Sequence, residues 1–167
     1  MFQDFLRYDM TVRDNIGFGE IAALGDDARL AMAARSSGAD VVIERLPAQY
    51  DQMLGRRFAN GAELSGGQWQ KLALARACMR EGQVLILDEP AAGLDPQSEH
   101  EILKRLRENT ARQLIVLISH RLSAARLADR VVVLRNGTVH EDGCHRDLLA
   151  ASGHYARLFE MQAAGYR

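Results

Sequence analysis

Three short apolar runs stand out against the polar background of the chain: Val84–Leu87, Leu114–Ile118 and Val131–Leu134. Uninterrupted apolar runs of this length predict strands covered on both faces by helices, and therefore a parallel or mixed α/β sheet. Between the first two runs, Asp95-Pro96 is followed by Ile102, Leu103 and Leu106. That is the pattern of an N-capped helix with proline at its first position, so the segment predicts a β-α-β crossover. After the third run, Asn136-Gly137 predicts a two-residue hairpin turn, with Thr138–Glu141 returning antiparallel at the sheet edge. Two terminal helices follow, at Arg146–Ala150 and Tyr155–Ala163.

Upstream the pattern changes. From Thr11 to Leu64 the apolar residues recur at helical spacing, notably over Asp26–Ser37, and the one comparable run is the short Val41-Val42-Ile43. This stretch reads as a helical insertion, and the glycines of Gly17–Gly25 and Gly55–Gly67 as local turns. The expected organisation is a single partial domain over residues 1–167, with a helical subdomain at about 11–80 and a sheet with C-terminal helices at 81–167.

Composition narrows the classes. An apolar fraction of 47% with 26% charged residues suits a globular chain of 167 residues with a sizeable core. Lys and Arg total 21 against 22 acids, so no basic surplus marks a nucleic-acid partner. Cys78 and Cys144 lie far apart and form neither a C-x-x-C pair nor a disulfide framework. No run approaches the roughly 18 apolar residues of a membrane span, and Met1-Phe2-Gln3-Asp4 has no signal-peptide character.

The most informative segment is Leu64-Ser65-Gly66-Gly67-Gln68, which precedes the helical stretch Trp69–Arg80 with Leu72, Ala75 and Met79 on one side. Paired glycines let backbone approach a ligand closely, and a serine with the free N–H groups of a helix start can hold phosphate oxygens. A lone Ser-Gly-Gly is more often a plain helix entry, so its neighbours matter. Val84-Leu85-Ile86-Leu87-Asp88-Glu89-Pro90 delivers two acids to the C-terminal end of a strand, where open α/β sheets bind ligands. One carboxylate suits a Mg²⁺ bridged to phosphates; its neighbour can orient and deprotonate a water attacking a γ-phosphate. The next strand ends in Ser119-His120-Arg121, where His120 can hydrogen-bond a γ-phosphate or serve as a structural partner.

In this order the segments resemble the ATP-binding-cassette family. Gln3 in Phe2-Gln3-Asp4 looks like the Q-loop, Leu64–Gln68 the signature, Val84–Glu89 the Walker B strand, Ala92–Asp95 the D-loop and Ser119-His120-Arg121 the H-loop. Thr11–Ile16, Gln68-Trp69-Gln70, Ala128-Asp129-Arg130 and Gly153-His154-Tyr155 are similar to exporters whose membrane and ATPase parts share one polypeptide. The resemblance implies a P-loop NTPase-like α/β fold, ATP and Mg²⁺ as cofactors, Gln3 and Asp88 as metal ligands, Glu89 as catalytic base and His120 as γ-phosphate switch. It implies that Ser65, Gly66, Gly67 and Gln68 meet the nucleotide of a second ATPase domain, identical or not, and that Asp95 links the two. It also implies a transmembrane domain as partner and a place at the cytoplasmic face of the inner membrane.

Departures from the family pattern are small except one. Cys144 stands where relatives often carry Thr, Leu46–Tyr50 lacks a common Gly, and Gly55–Gly61 departs from an exporter pattern rich in Glu. A phosphate-binding loop needs G-x-x-x-x-G-K-[ST], and the two lysines, Lys71 and Lys104, follow Gln70 and Leu103 instead. The expectation is a piece of a longer transporter starting at the Q-loop, incompetent by itself. Two other readings stay open: a non-catalytic partner that donates Ser65–Gln68 in trans, and a non-transport cassette ATPase.

Overall fold

The computed structural model describes residue 1, residues 4–109 and residues 113–164. The chain divides into two units, Met1–Ile118 and Ser119–Arg167.

The first unit is built on helices α1 (Val12–Gly17), α2 (Asp27–Ser37), α3 (Asp40–Ile43) and α4 (Gly66–Cys78). The two longer helices each start on a side-chain cap. Asp26 accepts from Arg29 N to start α2, and Gly38 at φ 72° closes it, a left-handed position that glycine adopts without a Cβ penalty. The run Val41-Val42-Ile43 is too short to extend a sheet here and folds as the turn of α3. The apolar stripes of α1, α2 and α4 meet in one core containing Val12, Ile16, Leu30, Ala34, Leu72 and Met79, all but inaccessible to solvent. The half-buried Cys78 packs against that core, and loss of water pushes its thiol up to about 12.

Arg76 ties α4 to α1 and to the segment ahead of it. Its guanidinium donates to Asn15 O at 2.7 Å, Asn15 Oδ1 at 2.9 Å and Leu6 O at 3.0 Å, and lies 4.6 Å from the centre of the Tyr8 ring. Asn15 is fully buried and donates in turn to Tyr8 O and Thr11 O. Arg76→Ala strips three charge-assisted bonds, two of them to the buried Asn15, and is expected to cost about 2–3 kcal/mol. Arg76→Lys is expected to recover only part of it, because one ammonium cannot reproduce the planar fork. Urea unfolding checks this; an unchanged midpoint in Arg76→Ala would show the network to be dispensable.

Beyond α4 the chain forms β1 (Val84–Asp88), α5 (Pro96–Asn109) and β2 (Leu114–Ile118). Asp95 caps α5 as its sequence position predicts, its Oδ1 accepting from Gln97 N and Ser98 N. The strands are parallel and in register from Val84↔Leu114 to Asp88↔Ile118, which is the predicted crossover. On its other edge β1 meets Met1, whose ammonium donates to Ile86 O and whose carbonyl accepts from Asp88 N. α5 packs on α2, and Arg105 reaches Asp40 of α3 at 2.9 Å.

Coverage of this sheet differs from the sequence expectation. Leu85 and Leu87 are buried, whereas Val84 and Ile86 are 51% and 54% exposed, and Leu114 and Ile118 are 63% and 51% exposed. Successive strand residues point to opposite faces, so the residues of one face are buried or half-buried and most of those on the other are exposed.

The second unit holds α6 (Leu122–Ala125), β3 (Val131–Arg135), β4 (Thr138–Gly143), α7 (His145–Ala150) and α8 (His154–Ala164). Asn136 and Gly137 both take positive φ, 51° and 75°, the geometry of the predicted hairpin turn. The hairpin is a separate two-stranded antiparallel sheet and not the edge of the parallel one, and β4 runs on to Gly143. The carboxylate of Glu141 accepts from His154 N and Tyr155 N at the start of α8, and these bonds hold it below the usual carboxylate range. A Cβ on Gly153 would sit 2.2 Å from that carboxylate, so this glycine serves the close approach. Beneath it the buried Tyr155 hydroxyl meets His145 Nδ1 at 2.6 Å.

Candidate functional site: the strand ends and the head of α4

The parallel pairing of β1 and β2 brings their C-terminal ends to one edge of the sheet. Asp88, half-buried, is the last residue of β1 and stands opposite Ile118. Glu89 leaves the strand through a turn: its N–H donates to Ile118 O at 2.9 Å and its φ is 46°. A non-glycine residue in the left-handed region is uncommon and costs of order 1–3 kcal/mol, so its surroundings must hold it there. The turn changes the direction of the chain, so that Asp88 and Glu89 escape the strict alternation of a strand. Ala92 N and Leu94 N bond back to Glu89 O and Ala91 O, which folds residues 89–94 into compact turns before α5.

The signature segment is the head of α4. The helix begins at Gly66, ahead of the predicted Trp69, with Ser65 as N-cap. Ser65 Oγ accepts from Gln68 N while Gln68 Oε1 accepts from Ser65 N at 2.8 Å, a reciprocal capping box. The two glycines differ. A Cβ on Gly66 would meet nothing within 4 Å, so the backbone there is open to an incoming ligand. A Cβ on Gly67 would come 2.9 Å from Leu94 Cδ2, so Gly67 lets α4 pack on the Gly93-Leu94 turn of its own chain. Ser65 and Gly66 are exposed at the tip, while Gly67 and Gln68 are half-buried.

Asp95 is exposed, and bonds from Ser98 hold its carboxyl below the usual range. His120, also exposed, lies two residues past the end of β2 in the second unit, where its carbonyl accepts from Gln162 Nε2 at 2.8 Å. Gln3, the other expected metal ligand, lies outside the described residues. Among the described residues no three His, Cys, Asp or Glu side chains gather as a metal cage.

Gln70 joins these two regions, and sequence reasoning notes it only as part of Gln68-Trp69-Gln70. From inside α4, only 5% exposed, its Nε2 donates to Glu89 O at 3.2 Å and its Oε1 accepts from Gly93 N at 3.1 Å. The available signal was its place three residues after Gly67, which puts both on one face of the helix.

Comparison with known proteins decides the family. The profile of the ABC transporter family matches residues 1–92. The chain belongs to the ABC transporter family. It is 41% identical over 162 residues to the subtilin transport ATP-binding protein SpaT of Bacillus subtilis, a match over 97% of this chain and 26% of that protein. With the cyclolysin secretion/processing ATP-binding protein CyaB of Bordetella pertussis it shares 44% identity over 163 residues, 98% of this chain and 22% of the relative. An ATP-dependent lipid A-core flippase of Aromatoleum aromaticum is 41% identical over 160 residues, 96% and 26%. The fold superposes on a bacterial Atm1-family ABC exporter solved with ATP bound, at TM-score 0.83 and 34% identity, over 97% of this chain and 27% of that one. The chain thus spans about a quarter of the length of these ABC proteins. Among the described residues no helix is long and apolar enough to cross a membrane.

Proposed function

We propose that these residues form the signature-bearing and Walker B part of the ATP-hydrolysing domain of an ABC exporter, coupling ATP hydrolysis to transport at the cytoplasmic face of the inner membrane. The observation that carries this is the delivery of Asp88 and Glu89 to the C-terminal edge of a parallel strand pair, in a chain whose relatives are transport ATP-binding proteins and exporters.

The residues present fit ATP and Mg²⁺. The open backbone at Gly66 heads a helix of 13 residues, whose N-terminal N–H groups favour a phosphate. A lone Asp88 suits Mg²⁺, which keeps much of its water and takes phosphate oxygens alongside one or two carboxylates; Gln3 would be the second protein ligand. When bound, the metal supplies positive charge against that of the phosphates. Glu89 orients a water and accepts its proton from its place on the turn that follows the strand. His120 hydrogen-bonds the γ-phosphate, Ser65 to Gln68 meet the nucleotide of a second ATPase domain, and Asp95 lies at the contact between the two. A transmembrane domain is the other partner, and its cargo is not encoded in these residues.

The 167 residues hold no G-x-x-x-x-G-K-[ST], and therefore lack the N–H cradle and lysine that grip phosphates most strongly. Calorimetric titration of this chain with Mg-ATP is expected to give no measurable binding, and the same residues joined to a phosphate-binding loop are expected to bind and hydrolyse ATP. Micromolar binding by the 167-residue chain would place the grip elsewhere. Binding without hydrolysis in the joined polypeptide would leave a non-catalytic donor of the signature.

A further inference from the structure

We infer that Gln70 is a positioning residue for Glu89: its side-chain amide, reaching from α4, fixes the backbone turn on which the carboxylate rides. The inference rests on the proposed role of Glu89 as base.

The two groups that Gln70 touches are of opposite kinds. Glu89 offers a carbonyl and Gly93 an N–H, and the amide donates to the first and accepts from the second. Only a neutral side chain with both a donor and an acceptor satisfies both: a carboxylate loses the donor and an ammonium loses the acceptor. The amide is also confined. It is 5% exposed, and a Cβ on Gly93 would stand 3.1 Å from its Oε1, so the turn comes as close as a glycine allows. One helical turn earlier Gly67 packs on Leu94, so α4 meets the 89–94 turn at two successive points along one face.

Glu89 is where such a brace is needed. Its φ of 46° is disfavoured, and its backbone is held by Ile118 O on the N–H and by Gln70 and Ala92 N on the carbonyl. Strained positions persist where surrounding bonds over-determine them. Without Gln70 the Glu89 carbonyl keeps the bond from Ala92 N, and the looser turn lets the carboxylate shift. A misplacement of about 1 Å in a reacting group can cost 10²-fold in rate, so an uncharged residue that bonds the backbone of the turn acquires leverage over the chemistry.

The test uses the complete polypeptide that carries these residues together with a phosphate-binding loop, in four forms: wild type, Gln70→Ala, Glu89→Gln and the double variant. Gln70→Ala is expected to lower kcat about 10- to 100-fold with KM for ATP within about twofold, because the residue holds the base and not the nucleotide. In the Glu89→Gln background the same change is expected to cost less than about twofold, since there is no longer a base to aim. Gln70→Glu, isosteric and still an acceptor, guards against simple misfolding: it is expected to keep the Gly93 amide slow to exchange while still losing kcat, whereas Gln70→Ala speeds exchange at Gly93 and leaves the amides of α4 protected. An unchanged kcat in Gln70→Ala, or a loss that multiplies in full with that of Glu89→Gln, overturns the positioning role and leaves Glu89 as base. Wild-type turnover in Glu89→Gln alone overturns the reading of Glu89, and the inference with it.

Discussion

In a polypeptide completed with a phosphate-binding loop, Glu89→Gln is expected to lower ATP turnover about 10²–10⁴-fold while leaving nucleotide affinity nearly unchanged. Glutamine keeps the size of the side chain and its place on the turn after β1, where Glu89 N bonds Ile118 O. What it removes is the basic carboxylate that takes the proton of the attacking water, an interaction realised only in the transition state. A loss confined to kcat is the signature of such a group, and a matching loss in binding is not expected, since Glu89 grips no phosphate. Steady-state hydrolysis together with a separate binding titration measures both. Wild-type turnover would move the base elsewhere, with His120 as the next candidate.

The sheet of the isolated 167-residue chain is expected to open far more readily than its helices. Five aliphatic side chains, Val84, Ile86, Leu114, Val116 and Ile118, stand 40% or more exposed on one face of β1 and β2. By contrast Val12, Ile16, Leu72 and Ala75 are fully buried in the helical core. Burying one such side chain completely contributes roughly 1.5–3 kcal/mol, against a whole-domain stability of about 5–15 kcal/mol, so a sheet covered on one side forgoes much of its margin. Segment-resolved hydrogen exchange is expected to show amides of Leu85–Leu87 exchanging at least about 100-fold faster than those of Leu72–Ala75, with self-association through the apolar face at higher concentration. A monomer in which both segments share the same protection would mean that the two strands and α5 suffice.

Much of the local structure was legible because its causes lie within a few residues of one another. Asp95 caps α5 through Gln97 and Ser98, Asn136-Gly137 turns a hairpin because both take positive φ, and the Val84–Leu87 and Leu114–Ile118 runs make strands joined by a helix. The order of the signature, the Asp88-Glu89 pair and the Ser119-His120-Arg121 segment pointed to the ABC family, and the family profile agrees. Apolar runs alone misjudged burial. A run states that a strand can be covered on both sides, but whether a second layer is packed there depends on partners the run does not contain, and Val84 and Ile86 face outward.

The remainder is a matter of contacts between residues distant in the chain, which spacing does not encode. Sequence makes Gly66 and Gly67 alike; only the packing of α4 on the Gly93-Leu94 turn leaves one open and the other filled to contact with Leu94. The joining of Gln70 to Glu89 and Gly93 spans 19 and 23 residues, and the anchoring of Arg76 on Asn15 and Leu6 spans 61 and 70. By itself the sequence determined the family, the strands, the longer helices and the identity of the acids at the strand end, because these rest on residue type and short-range hydrogen bonding. The tertiary structure alone decided that Glu89 sits at a left-handed φ braced by a buried amide, because a donor and an acceptor meet only after α4 has packed against the turn.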